Sequence, residues 1–266
     1  MIMKFKIALA QTKYNDSVEA NLEKACKFIG EAAAAGASIV VFPEIFIAAF
    51  PNGTPVEVKL KAAQTMDSPN VAKMCSYAAA HKIWVVFGMY EAADSKKNYN
   101  TTLVVDDNGN IAAQYRKTHL YDAFSYKESD YNIPGDKLFE PIDTPFGKVG
   151  LMVCYEVRFP EVARYEALKG AELILMPTAW FDGEGKSEQL KVSVQARAME
   201  NTVFVAMCDM CGGIRIGESL VCGPLGDVIA GAGREEELLL AEIDTEKIEA
   251  ARRVLPVLEN RRPELY

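Results

Sequence analysis

Histidine is nearly missing: His81 and His119 are the only two in 266 residues. That scarcity excludes a metal centre built on several imidazoles and leaves two candidates at most for histidine-based acid or base chemistry. Long apolar runs are missing too. The apolar opening at residues 7–10 is bounded by Lys4, Lys6 and Gln11, too short for a signal h-region and far too short to span a bilayer. No basic tract could track a phosphate backbone, since 29 Lys and Arg stand against 37 Asp and Glu and the net charge is -8. Nucleic acid and anionic membrane are therefore not expected as partners. The six cysteines, 26, 75, 154, 208, 211 and 222, lie scattered with no disulfide framework, so free thiols and a cytoplasmic setting are expected.

What is present describes a globular protein, half hydrophobic and a quarter charged. A chain of this length buries roughly 70 to 75% of its unfolded surface and needs no disulfide or metal staple. No Ser/Gly/Pro-rich linker divides it, so one domain over residues 1–266 is expected. Strand and helix signals alternate throughout. Residues 3–10 read as a buried strand, and residues 16–35 as a helix with Asp16 as cap, Glu19 as its capping-box partner and Gly36 as stop. Residues 38–42 form a continuous apolar, β-branched run closed by Pro43, as a sheet covered on both faces requires.

Further helices are expected at 70–81, 160–169, 188–200 and 245–253, and strands at 83–88, 149–153, 173–176, 203–207, 218–222, 228–230 and 237–243. A hairpin should pair 101–105 with 111–115 across Asp107-Asn108-Gly109-Asn110, and Gly231-Ala232-Gly233 reads as another hairpin turn. Residues 36–43 match 170–177 at a constant offset of 134. Such likeness arises in any α/β protein, or it marks two related halves, each with its own sheet.

Three apolar strands end at chemically notable residues: Glu44, Cys154 and Thr178. Ligands bind at the carboxyl ends of strands in open α/β sheets. Cys154 sits on a short turn between a strand and a helix, where a nucleophile can be held beside free backbone N–H groups; a small core residue explains the same position. Lys117 ends an apolar strand where the chain turns polar, and Glu44, directly after a fully apolar run, has few routes to bulk water. A partly buried acid needs a cationic or hydrogen-bonding partner.

The motifs F-P-E-I-F at 42–46, Y-R-K-T-H-L at 115–120 and C-Y-E-V-R-F-P-E at 154–161 together resemble the carbon-nitrogen hydrolase (nitrilase) superfamily. The resemblance extends through A-L-A-Q at 8–11, P-G-D at 134–136, A-R-A-M-E-N at 196–201 and the closing R-R-P-E-L-Y. The C-Y-x-x-R-F-P-E pattern looks closest to the ω-amidase and deaminated-glutathione-amidase branches, although Glu156 stands where those branches usually have Asp. Nitrilases proper commonly have Trp where this chain has Tyr155.

That resemblance implies a four-layer α-β-β-α sandwich and a Glu44, Lys117, Cys154 triad with Glu128 as a fourth residue holding the lysine. It implies no cofactor and no metal. Cys154 would attack an amide carbon, with its thiol pKa lowered by a nearby ammonium. Lys117 and the Tyr155 backbone N–H would stabilise the oxyanion, and Glu44 would accept and relay the proton. The implied substrate is a small carboxamide or N-carbamoyl compound, with nitrile hydrolysis or a non-catalytic scaffold as alternatives. Tyr121, Thr178 and Trp180, just after strand ends, and Phe46 as an apolar wall are candidate pocket residues. Arg158 is expected to pair with Glu156 or Glu161, its alternative being a grip on a substrate carboxylate. A homodimer built across residues 160–169, with the tail at 254–266 reaching the partner, is the implied assembly.

Two patterns are set aside. Cys208-x-x-Cys211 with Cys222 lacks further ligands for zinc and a thioredoxin-like setting. Gly185-Lys186-Ser187 resembles the end of a phosphate loop, but the first required glycine falls on Trp180.

Overall fold

The alternation of strand and helix signals builds two six-stranded sheets packed face to face. A computed structural model describes residues 3–15, 17–50, 53–93 and 96–265. The first half runs β1 (Lys4–Gln11), α1 (Val18–Ala34), β2 (Ile39–Val41), α2 (Val56–Lys61), α3 (Pro69–His81) and β3 (Trp84–Ala92). It then turns back through β4 (Asn98–Val105) and β5 (Ile111–Arg116). A two-residue-stranded hairpin, β6 (Asp122–Ala123) and β7 (Tyr126–Lys127), follows. The second half runs β8 (Ile142–Thr144), β9 (Gly147–Leu151), α4 (Pro160–Leu168), β10 (Leu173–Thr178), α5 (Lys186–Asn201) and β11 (Phe204–Asp209). The chain closes with β12 (Cys211–Gly212), β13 (Arg215–Ile216), β14 (Leu220–Cys222), β15 (Val228–Gly231), β16 (Glu237–Asp244) and α6 (Glu246–Val254).

One sheet has the order β16-β1-β2-β3-β4-β5 and the other β15-β14-β11-β10-β9-β8. Each has three central parallel strands, one antiparallel strand on one side and two on the other. The sequence repeat falls on β2 and β10, the middle parallel strand of each sheet, so the two halves build the same pairing pattern.

Strand side chains alternate between faces, and here the alternation sorts two cores. Ile7, Leu9, Ile39, Val41 and Val86 face the second sheet, meeting Leu151, Leu173 and Leu175. Ala8, Ala10, Val40, Val85 and Phe87 face outward onto Leu22, Ile29, Val71 and Met74 of α1 and α3. Val162, Ala163, Leu190 and Val194 of α4 and α5 cover the other sheet. The result is a four-layer α-β-β-α sandwich, as expected. Among the described residues no helix is long and apolar enough to cross a membrane.

Two local expectations differ, the cap of α1 and the turn at residues 231–233, and one helix, α2, was not anticipated. Asp16, the expected cap of α1, lies outside the described residues; the Ser17 side chain accepts the Ala20 N–H at 3.1 Å as N-cap. Gly36, at φ 77°, supplies the left-handed stop after that helix. Gly231-Ala232-Gly233 is not a hairpin turn: β15 pairs with β14, whereas β16 pairs with β1 of the opposite sheet over Lys4↔Asp244 to Gln11↔Glu237. Eight paired residues, with Ala241 and Ile243 buried in the inter-sheet core, hold β16 there. The helix α2 has no buried residue, and so left no apolar periodicity to read.

Candidate active site

Glu44, Lys117 and Cys154 come from three different strand ends and meet at one pocket of about 480 Å³, mouth included. Glu44 follows β2 and Pro43, and the next residue, Ile45, turns at φ 48°, a left-handed backbone that a β-branched residue rarely adopts. A Cβ on Gly88 of β3 would meet the Ile45 backbone nitrogen at 2.3 Å, so glycine is what lets this turn lie against the sheet. The Glu44 backbone N–H donates to the Thr178 carbonyl at 3.3 Å. These two residues are equivalents under the 134-residue repeat, and the bond ties the strand ends of the two sheets together.

Cys154 begins a five-residue 3-10 turn and is itself left-handed, at φ 49°. Held strain of this kind needs surrounding structure to over-determine it. Glu156 provides much of that. Its side chain is fully buried; Oε2 accepts the Val153 N–H at 2.7 Å, and Oε1 accepts the Thr118 N–H at 2.8 Å and the Tyr115 hydroxyl at 2.7 Å. The turn bearing the cysteine is thereby tied to the loop bearing the lysine.

Lys117 is 2% exposed, and its Nζ donates at 2.8 Å to Glu44 Oε1 and at 2.8 Å to Glu128 Oε2. Asn100 Nδ2 bridges the same two carboxylates, at 2.8 Å from Glu44 Oε1 and 3.0 Å from Glu128 Oε1. Asn132 Nδ2 and the Tyr121 N–H complete the shell of Glu128 at 3.0 and 2.7 Å. Burial alone would pull the Lys117 pKa down, but the charges of Glu128 and Glu44 outweigh it and hold the ammonium well above its ordinary value. Burial likewise opposes the Glu128 charge, and Lys117 with Asn100 overcomes it, leaving that carboxyl below its ordinary value.

The cysteine differs from the expectation of a depressed thiol. Burial, and then the Glu44 charge, push Cys154 well above its ordinary value, against the opposing pull of Lys117 and the Ala179 backbone. The group therefore rests as a thiol beside the Glu44 carboxylate.

Of the expected pocket residues, Tyr121 and Trp180 line the cavity. Tyr155 stands edge-on to Tyr121 at 5.1 Å between ring centroids. Phe46 does not reach the cavity; it is fully buried and stacks on Phe42 at 5.6 Å in the outer core of the first sheet. Thr178 is also fully buried, its hydroxyl donating to the Met176 carbonyl at 3.2 Å. Thr178 follows the alternation of β10, which turns it away from the cavity, whereas Phe46 lies in a 3-10 turn at residues 46–48 that packs into the outer core. Arg158 pairs with neither Glu156 nor Glu161 among the described residues. Its guanidinium lies 4.8 Å over the Trp180 ring and donates to Gln189 Oε1 at 2.8 Å, because Glu156 is already saturated by other donors. Neither histidine lines the cavity: His119 stacks on Phe159 at 4.1 Å and His81 on Tyr77 at 5.9 Å. The Cys208 thiol donates to the Val41 carbonyl at 3.1 Å as a core residue.

Several lining residues were not anticipated: Asn100, Phe181, Lys186, Arg215 and the tyrosines 90, 126 and 131. Only Lys186 left a local trace, in the Gly185-Lys186-Ser187 pattern that was set aside; the others come from strands and loops far apart in sequence.

The carbon-nitrogen hydrolase model matches residues 6–253. The chain is 34% identical to human omega-amidase NIT2, over 98% of this chain and 96% of that protein. It is 32% identical to the deaminated glutathione amidase of Escherichia coli O157:H7, over 96% of this chain and 97% of that one. In structure it resembles an amidase from Nesterenkonia sp. AN1 with a TM-score of 0.81 and 25% identity, covering 98% of this chain and 95% of that one. That amidase, as a Glu-to-Gln mutant, shows covalent addition of the acetamide moiety of fluoroacetamide at its active-site cysteine. The match over nearly all of the chain, with the three strand-end residues gathered at one cavity, places the protein in the carbon-nitrogen hydrolase family, as an amidase acting on carbon-nitrogen bonds other than peptide bonds.

Proposed function

We propose that the protein hydrolyses a small carboxamide or N-carbamoyl compound through a thioester on Cys154, releasing ammonia or an amine and a carboxylic acid. The observation that carries this reading is Lys117 Nζ, 2.8 Å from both Glu44 and Glu128, at the cavity that Cys154 also lines. The elevated thiol pKa makes a general base necessary. Glu44 takes the Sγ proton as sulfur bonds to the amide carbon. Lys117 and the Tyr155 N–H stabilise the oxyanion; the first bond of the 3-10 turn is donated by Glu156 to the Val153 carbonyl, which leaves the Tyr155 N–H ahead of that ladder. Glu44 then passes the proton to the departing nitrogen as the C–N bond breaks. It next takes a proton from water, whose oxygen attacks the thioester carbon, and returns that proton to Sγ as the C–S bond breaks, freeing the acid and the thiol. Glu128 accepts from Lys117 and keeps it charged and in place.

Intact-mass spectrometry after mixing with a reactive amide or ester tests the step. An acyl adduct is expected on the wild type and not on Cys154→Ala; an equal adduct on both, or none on the wild type, removes the thioester. Ammonia released from a panel of nitriles but not from amides would replace the amidase reading with a nitrilase one.

The same proposal includes a cytoplasmic homodimer. Leu168 of α4 and Val254 and Leu265 of the tail are large apolar side chains left exposed on the segments expected to meet a partner, and Val192 and Met199 of α5 are exposed as well. A light-scattering mass near one chain at all concentrations would reject it.

A further inference from the structure

Cys154 shares its cavity with Ala179 and Trp180, the first two residues after β10. The Ala179 backbone acts on the sulfur itself, favouring the thiolate against the burial that opposes it. Both peptide units that meet at Ala179 are held. The Thr178 carbonyl accepts the Glu44 N–H at 3.3 Å and the Met210 N–H at 3.1 Å. In a trans peptide the N–H points away from the carbonyl, so these two bonds aim the Ala179 N–H. The next unit is gripped at both ends: the Trp180 N–H donates to Asp209 Oδ1 at 2.8 Å, and the Ala179 carbonyl accepts an N–H from Arg215. Beyond it, the Trp180 carbonyl accepts the Ile216 N–H at 3.2 Å.

The two side chains that grip this peptide are themselves fixed. Asp209 ends β11 opposite Thr178, is fully buried, and takes the Met210 N–H on the same oxygen at 2.8 Å. Its own N–H donates to Ser219 Oγ at 2.8 Å, and the Ser219 N–H donates to Oε1 of the buried Gln11 at 2.8 Å. The Arg215 guanidinium lies 3.9 Å over the Phe181 ring, which holds a cation in place by its negative face. Asp209 Oδ2 and Arg215 Nε are buried with no partner among the described residues, an arrangement that costs free energy and is explained if the other atoms of each group have a task. Burial pushes the Asp209 carboxyl well above its ordinary value, against the Trp180 N–H, the Arg215 charge and the Met210 N–H. Asp209 therefore acts through Oδ1 as an acceptor rather than through a charge.

We propose that Asp209 and Arg215 are positioning residues that clamp the Ala179–Trp180 peptide from its two ends, so that the Ala179 N–H stays on the Cys154 sulfur while Glu44 takes the proton. This rests on the reading of Cys154 as nucleophile given above. Rotation about the Ala179 backbone would otherwise swing that N–H off the sulfur, and a misplacement of about 1 Å at a reacting centre can cost 100-fold in rate.

Alkylation of Cys154 by iodoacetamide, followed by peptide mass spectrometry, reads the sulfur without any amide turnover. Asp209→Ala and Arg215→Met should each slow it about 10-fold at a fixed pH below the thiol's own value, the worth of one hydrogen bond to a charged group. Each should also lower kcat about 10-fold to 100-fold with KM nearly unchanged. The double variant should lose no more than the worse single one, because either change frees the same peptide. Asp209→Asn keeps an oxygen acceptor and should recover most of both rates. Should Asp209→Ala fail to fold, Arg215→Met, at a partly buried position, carries the test. Unchanged alkylation with a raised KM in Arg215→Met would make Arg215 a substrate contact and overturn the clamp. Additive losses in the double variant, or equal losses in Asp209→Asn and Asp209→Ala, would overturn it too. Slowed alkylation in the variants of an enzyme that turns over no amide would support the clamp and remove the amidase reading alone.

Discussion

Glu156 Oε1 accepts hydrogen bonds from both the backbone N–H and the hydroxyl of Thr118, at 2.8 and 2.7 Å. The residue two places after the cysteine is thus bonded to the residue next to the lysine, and the spacing of thiol and ammonium depends on a fully buried carboxylate. The Val153 N–H on its other oxygen makes Glu156→Gln an informative change, because a side-chain NH2 would then face a donor.

Glu156→Gln is expected to destabilise the fold by about 1–3 kcal/mol and to lower kcat with little change in KM. Glu156→Asp keeps the charge and should retain more activity. Burial opposes the Glu156 charge, but His119, Thr118 and Val153 outweigh it and depress its folded pKa. Its stabilisation is then present above the unfolded value of about 4.3 and lost as pH falls through the lower folded value. Urea unfolding should show the wild type losing its advantage over Glu156→Gln as pH drops below about 4. An advantage constant with pH would show that the charge plays no part.

Glu166 has the opposite sign. It is fully buried on α4 with no well-formed hydrogen bond to either oxygen among the described residues, and burial with the Glu156 charge raises its pKa well above the ordinary value against a weaker pull from the Leu151 backbone. A raised folded pKa favours folding below the unfolded value and is lost as pH rises. Glu166→Gln, which cannot ionise, should therefore gain stability relative to the wild type between pH about 5 and 8. A gap independent of pH would contradict the neutral assignment.

Lys117→Met leaves Glu44 and Glu128 facing each other with Asn100 as their shared donor. Removing one member of a buried ion network costs about 3–5 kcal/mol, so the urea midpoint should fall together with the activity. Lost activity with an unchanged midpoint would mean that the two carboxylates are not both charged.

Because Cys154 rests as a thiol, its alkylation by iodoacetamide should keep accelerating above pH 9, with no plateau near neutrality. Glu44→Gln should lower kcat by about 100-fold to 10,000-fold, the usual range for a general base. A neutral plateau in alkylation would point to a preformed thiolate and remove the need for Glu44 as base.

Much of this was legible along the chain, because strand ends are local features. An apolar β-branched run stops where the sheet stops, so position made Glu44, Lys117 and Cys154 candidates while the motifs resembling the carbon-nitrogen hydrolases grouped them, and the repeat of 36–43 in 170–177 marked the middle strand of each sheet. Tertiary structure alone decided what crosses between elements. β16 left its sequence neighbour β15 for β1 because eight residues pair there. Asn100, Lys186 and Arg215 joined the cavity from parts of the chain with no shared motif. Thr178 turned away because the face on which a strand-end side chain emerges follows from register against neighbouring strands, and Phe46 because the chain enters a 3-10 turn after the left-handed Ile45. The cysteine's elevated pKa likewise reflects desolvation, which depends on all the atoms packed around the sulfur rather than on its neighbours in sequence.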